Sequence, residues 1–196
     1  MSEFQTNPFA VPSPVRGLFG SISRRRAAVV ALAGLSAVAL TACGSDAGAA
    51  DGISDGVLTV ELSDFSFGDL PDTVPAGTRL AVTSDSEAEL HELVAVRLPD
   101  GEQRSAEQLV HDALDEVFAA APPTAVLLAA PDGEQVSAVG DGTLAEPGRY
   151  LLLCAIPTGA DPAEYLAAAA TSDGPPQVAG GAPHFTHGMF AELTVT

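Results

Sequence analysis

The sequence predicts an all-β fold, a β-sandwich interrupted by two short helices. Three observations predict it. Apolar and polar residues alternate over short runs, the period of a half-buried strand. Gly, Pro and Asp punctuate those runs at short intervals, as between the strands of a sandwich. Only two helices, each opened by a capping signal, interrupt the strands.

The elements follow in order from residue 57. Val57-Leu58-Thr59-Val60-Glu61-Leu62-Ser63 puts Leu58, Val60 and Leu62 on one face. Pro71 and the turn Pro75-Ala76-Gly77 bracket the approach to a strand over 80–83. Residues 90–98 form a third apolar run, closed by Pro99-Asp100-Gly101. Further strands are predicted over 135–139, 149–156 and 189–195, the last with Met189, Ala191, Leu193 and Val195 on one face. The first helix starts at Ser105, with Gln108 as its capping-box partner and Leu109, Val110, Ala113, Leu114, Val117 and Phe118 as its apolar stripe. The second opens with Asp161 as N-cap, Pro162 at the first helical position and Glu164 at the third. It is expected to run through Ala170, stopping before Gly174-Pro175-Pro176, as a surface element inside a long loop.

Ahead of the domain stands a basic cluster, Arg24-Arg25-Arg26, followed by an uncharged apolar run over 27–40. That run is shorter than the roughly 20 residues a spanning helix needs, and reads as the apolar region of a signal peptide. It ends in Leu40-Thr41-Ala42-Cys43, which resembles the bacterial lipobox, where the Cys is lipidated and becomes the mature N-terminus. The resemblance implies three parts: a signal peptide over 1–42, the lipidated Cys43 with a flexible tether over 43–56, and the domain over 57–196. It places the domain on the extracytoplasmic face of a bacterial cell membrane, held by acyl chains of the palmitate type. Ser23-Arg24-Arg25-Arg26 also resembles part of a twin-arginine signal, so the export route stays open.

Charge narrows the partners. Of 8 basic and 26 acidic residues, only four bases (Arg79, Arg97, Arg104 and Arg149) but 25 acids lie beyond residue 42, a net charge of −21. Such a surface repels nucleic acid and anionic lipid head groups, so membrane attachment falls to the lipid anchor. It also suits steering of a basic redox partner, which nothing in the sequence identifies. The acids Asp85, Glu87, Glu89 and Glu92 flank His91 and could seat a hard cation, but their spacing matches no calcium loop.

With Cys43 lipidated, Cys154 is the one thiol left. A lone Cys in an oxidising compartment is buried and inert, paired with another chain, or a ligand or nucleophile. Three other residues belong with it. His91 opens a strand in Glu89-Leu90-His91-Glu92, and His184 and Met189 share the loop His184-Phe185-Thr186-His187-Gly188-Met189. Read singly, each is bland: a small buried hydrophobe, a strand-end imidazole, core filler.

Together they resemble the cupredoxins, the blue-copper fold. There a Pro-Gly-x-Tyr turn leads into a strand ending in the ligand Cys, a ligand His follows, and a Met often preceded by Gly lies five residues beyond it. Pro147-Gly148-Arg149-Tyr150 with Cys154, His184 with Gly188-Met189, and His91 match in order and type. The resemblance spans about residues 57–196. It implies a Greek-key sandwich holding one type 1-like copper ion on His91, Cys154, His184 and Met189, for electron transfer or copper handling. Thiolate and thioether suit Cu(I) and imidazole suits Cu(II), which is why these residue types serve a cycling copper. His187 is the alternative to His184, whose spacing from Met189 fits the family better. The departure from the family is the 29-residue stretch 155–183 between Cys154 and His184. A long loop adds little closure entropy, about 0.6 kcal/mol per doubling, but it interrupts the tight ligand loop. The competing readings are a metal-free cupredoxin-like binding or structural lipoprotein, and an enzyme with Cys154 as nucleophile and His184 as base. No oxyanion-hole signature or orienting third residue supports the enzyme.

Overall fold

A computed structural model describes residues 52–131, 134–172 and 174–196. The predicted signal peptide, Cys43 and the start of the tether lie outside these. The strands are β1 (Ile53–Ser54), β2 (Val57–Ser63), β3 (Ser66–Phe67), β4 (Thr73–Val74), β5 (Thr78–Ser84) and β6 (His91–Arg97). Two helices follow, α1 (Ala106–Asp112) and α2 (Leu114–Ala120), then β7 (Ala125–Ala129), β8 (Gln135–Val139), β9 (Thr143–Leu144) and β10 (Gly148–Leu153). Helix α3 (Pro162–Ala169), a 3-10 turn (His184–His187) and β11 (Phe190–Val195) complete the chain.

The strands form two sheets. One has the order β1-β2-β5-β9, with β3 also paired to β2; the other runs β4-β11-β10-β6-β7-β8. Within the second, β6, β7 and β8 lie side by side and β10 returns antiparallel beside β6. That spatial order, 4-1-2-3, is a Greek key. The all-β sandwich and both helical insertions are therefore present.

Which strands alternate and which do not follows from what covers them. β2 faces the core on one side only and reads buried at Leu58, Val60 and Leu62 with exposed residues between. β6 and β10 are buried on both faces, so they read as continuous apolar runs. Leu93, Ala95, Tyr150 and Leu152 point into the sandwich, while Val94, Val96, Leu151 and Leu153 pack under α1 and α2 against Leu109, Val110 and Val117. Each such fully buried Leu contributes about 1.5–3 kcal/mol.

The local signals act as read, with four differences. Ser105 and Gln108 make the reciprocal capping box, and the Asp161 side chain accepts from the Glu164 N–H. The first helix, expected as one, is two, broken at Ala113 with φ −147°. The break changes the helical phase, so Phe118 leaves the apolar stripe and is exposed. Helix α3 is not merely a surface element, because it buries Tyr165 in the main core. The strand β7 was not predicted, although in the sequence Ala125-Val126-Leu127-Leu128-Ala129 stands between Pro122-Pro123 and Pro131-Asp132-Gly133. It is a short apolar run, where periodicity cannot separate strand from helix. Within the stretch expected as tether, Ile53–Ser54 already pair with β2. Asp55 and Gly56, with φ of 51° and 76°, form the tight hairpin between them.

One glycine is fixed by close approach. Gly142 has φ +90°, and a Cβ there would lie 2.3 Å from the Leu80 carbonyl oxygen, across the contact in which the Leu80 N–H donates to the Gly142 carbonyl. Gly142→Ala is expected to destabilise the domain by at least about 1–3 kcal/mol, read from the denaturant midpoint. An unchanged midpoint would mean that this turn is not seated on β5.

Candidate metal centre

Strand parity aims the candidate side chains. Side chains two apart along a strand share a face. His91 therefore shares the inward face of Leu93 and Ala95. Cys154, the residue after β10, continues the inward series of Tyr150 and Leu152. Both are fully buried. His184 opens the 3-10 turn, which the main chain pins to the same place. The His184 N–H donates to the Ile156 carbonyl and the Phe185 N–H to the Cys154 carbonyl. Met189 is fully buried too; its N–H donates to the His184 carbonyl and its carbonyl accepts from the Cys154 N–H.

The structure thus brings together His91, Cys154 and His184. His91 Nδ1 lies 3.2 Å from His184 Nδ1, and Cys154 Sγ lies 3.3 Å from that same nitrogen. One donor atom from each of the three residues falls within 4.8 Å of the others, the only such group among the described residues. Met189 joins them through its backbone and its place in the core. His187 stays outside, exposed, with its ring 4.9 Å from Phe65. His111 is exposed on α1, away from the group. The acids around His91 form no such cluster among the described residues: Asp85 and Glu87 are exposed, and Glu89 and Glu92 have other work.

The chemistry of the three donors fits a soft cation. His91 Nε2 is 3.2 Å from Asp64 Oδ1. Hydrogen bonding to Ser86, and to His91 itself, holds Asp64 below the ordinary carboxylate value, so it accepts the imidazole proton. A His91 ring that donates from Nε2 to Asp64 turns Nδ1 inward toward His184, as a carboxylate-oriented metal ligand would. Burial, and then the His91 ring, push His184 below the ordinary histidine value, which keeps it neutral. Burial, with the Glu92 charge, pushes the Cys154 thiol up, so without a cation it keeps its proton. Two imidazoles and a thiol share a space in which His184 Nδ1 faces two neighbours, His91 Nδ1 and Cys154 Sγ. A metal ion satisfies all three donors at once.

The surroundings were only partly legible. Glu92 is buried, its backbone N–H donates to Cys154 Sγ, and its carboxyl accepts from the Ala155 N–H and the Tyr165 hydroxyl. Burial pushes its carboxyl up to about 7, against those two hydrogen bonds. Asp64, Phe65 and Tyr165 were not singled out from sequence. No spacing rule links Asp64 to a histidine 27 residues away. Phe65 stands edge-on to His184 at 5.1 Å, held at φ 64°, a conformation rare for an aromatic residue.

No family model matches the chain, and no curated protein matches it. Among solved structures it is similar to dithionite-reduced auracyanin from the photosynthetic bacterium Roseiflexus castenholzii, with 18% identity over 73% of this chain and 98% of that one, at a TM-score of 0.41. Auracyanin A, a blue copper protein of Chloroflexus aurantiacus, gives 20% identity over 71% and 99%, at 0.36. Reduced rusticyanin gives 14% over 74% and 82%, at 0.33. Likeness at these values carries no argument about function.

Burial makes the thiol testable. In a chain carrying Cys43→Ser, native protein without metal is expected to resist alkylation by iodoacetamide and to react fully once unfolded. Rapid labelling of the native protein would show that Cys154 is not in the interior.

Proposed function

We propose that the chain is a copper-binding electron carrier, tethered through Cys43 to the extracytoplasmic face of a bacterial cell membrane. The observation that carries the proposal is the convergence of one thiol and two imidazole nitrogens, mutually within 4.8 Å, inside an apolar sandwich. His91, Cys154 and His184 are the proposed ligands, with Met189 as the weak fourth. A copper ion held there supplies a one-electron couple that this mixed sulfur and nitrogen donor set serves in both states.

The residues' part is to stay still. β6 fixes His91, the end of β10 fixes Cys154, and three main-chain hydrogen bonds tie the His184 turn and Met189 to the segment 154–156. A donor set anchored to sheet and turn rearranges little on gaining or losing an electron. The interior also excludes water from the thiol, and the Glu92 N–H donates to its sulfur. Both act on a reduction potential.

The support for anchoring is the sequence from Arg24 to Cys43. No helix among the described residues is long and apolar enough to cross a membrane. The strong negative charge favours a partner with a basic docking face. Of the four arginines beyond residue 42, Arg97, Arg104 and Arg149 are engaged in ion pairs with the protein's own acids.

Added Cu(II) is expected to produce an intense visible thiolate-to-copper absorption at one ion per chain. Cys154→Ser should abolish it, His184→Ala should abolish or displace it, and His187→Ala should leave it intact. A colourless protein that retains no copper would favour a metal-free binding or structural lipoprotein.

A further inference from the structure

The stretch 155–183 has no counterpart in the ligand pattern that the sequence resembles, yet it is fastened to the candidate centre at two glutamates. Glu92 takes the Ala155 N–H and the Tyr165 hydroxyl. Glu89 takes the Gly159 N–H on both carboxylate oxygens, at 3.1 and 3.0 Å. The second fastening reaches a candidate ligand directly, since Glu89 Oε2 lies 3.4 Å from His184 Nε2. That nitrogen is fully buried and has no partner in hydrogen-bond geometry, the one such side-chain atom among the described residues.

An unpartnered buried polar atom is unfavourable, so its nearest charged neighbour matters. Two tautomers of a neutral His184 are possible. With the proton on Nδ1, that N–H can donate to His91 Nδ1, but Nε2 turns a lone pair on the Glu89 carboxylate, which can only accept. With the proton on Nε2, a small closure gives a charge-assisted hydrogen bond to Glu89, and the Nδ1 lone pair accepts from the Cys154 thiol, 3.3 Å away. The second arrangement satisfies both ends of the ring, and only it offers Nδ1 to a metal.

We propose that Glu89 is a positioning residue of the centre: held in place by the Gly159 N–H of the 155–183 stretch, it accepts the His184 Nε2 proton and fixes the tautomer whose Nδ1 faces the metal. The stretch thereby acts on the centre through Glu89. This rests on the copper reading for its consequence, but not for its geometry. A carboxylate on the far side of a ligand imidazole makes that ligand more basic, which favours the more highly charged ion, Cu(II), over Cu(I).

Two measurements on the chain carrying Cys43→Ser test it, with Glu87→Gln, an exposed neighbour, as the control for loss of one charge. In metal-free protein, nitrogen-15 NMR of the imidazoles should show His184 protonated on Nε2, and Glu89→Ala should shift it toward a mixture of tautomers. In copper-loaded protein, Glu89→Gln should lower Cu(II) affinity ten- to a hundredfold, lower Cu(I) affinity less, and so raise the reduction potential. If Glu89→Ala leaves the tautomer unchanged, or His184 carries its proton on Nδ1 in the parent, the proposal is overturned. If copper binds and Glu89→Gln behaves as Glu87→Gln does, it is overturned as well. Absence of copper binding in the parent, with the tautomer pinned and released as expected, overturns the copper reading and leaves the positioning role standing.

Discussion

Three groups that water would solvate well sit together where water does not reach. Two imidazoles and a thiol, each fully buried, are held with donor atoms 3.2 and 3.3 Å apart by two strands and one turn. Burying polar groups without partners is unfavourable, so a fold that keeps them there needs something to satisfy them. Asp64 satisfies the outer nitrogen of His91. The inner atoms of the three groups meet one another, and a cation bound there would replace those mutual contacts. Rigidity, exclusion of water and the choice of soft and borderline ligands all follow from this one packing decision.

The sheets make it possible by being covered on both sides. The six-stranded sheet carries the sandwich core on one face and α1 and α2 on the other, so β6 and β10 have no solvated face. A strand in that position cannot slip by one residue without exchanging two apolar layers, which fixes its register. His91 and Cys154 inherit that precision because they sit at the ends of those strands. The stretch 155–183, for its part, is not a free loop. Its main chain and Tyr165 bind Glu89 and Glu92, which border the donors.

The legible part of this was local. Alternation in Val57–Ser63, the Ser105–Gln108 capping box and the Asp161-Pro162 helix start are short-range patterns, and short-range physics sets them. The centre was legible only as an ordered set, because a thiol, two imidazoles and a thioether in that order are rare together although each alone is ordinary. His184 and His187, three residues apart, were separable by sequence only through resemblance. The structure separates them by placing one inside and the other at the surface. What sequence could not carry was long-range. Asp64 reaches His91 through the turn after β2, and Tyr165 reaches Glu92 from a helix 73 residues away. β7 was missed because a buried five-residue apolar run carries no period of its own. The break at Ala113 has no Gly or Pro to announce it.

The central claim is that one sulfur and two imidazole nitrogens converge on a single copper ion. X-ray absorption at the copper edge, on protein loaded with one equivalent, tests it most directly. One sulfur and two imidazole nitrogens are expected as the atoms nearest the copper. A shell of oxygen and nitrogen alone, with no sulfur, would contradict it.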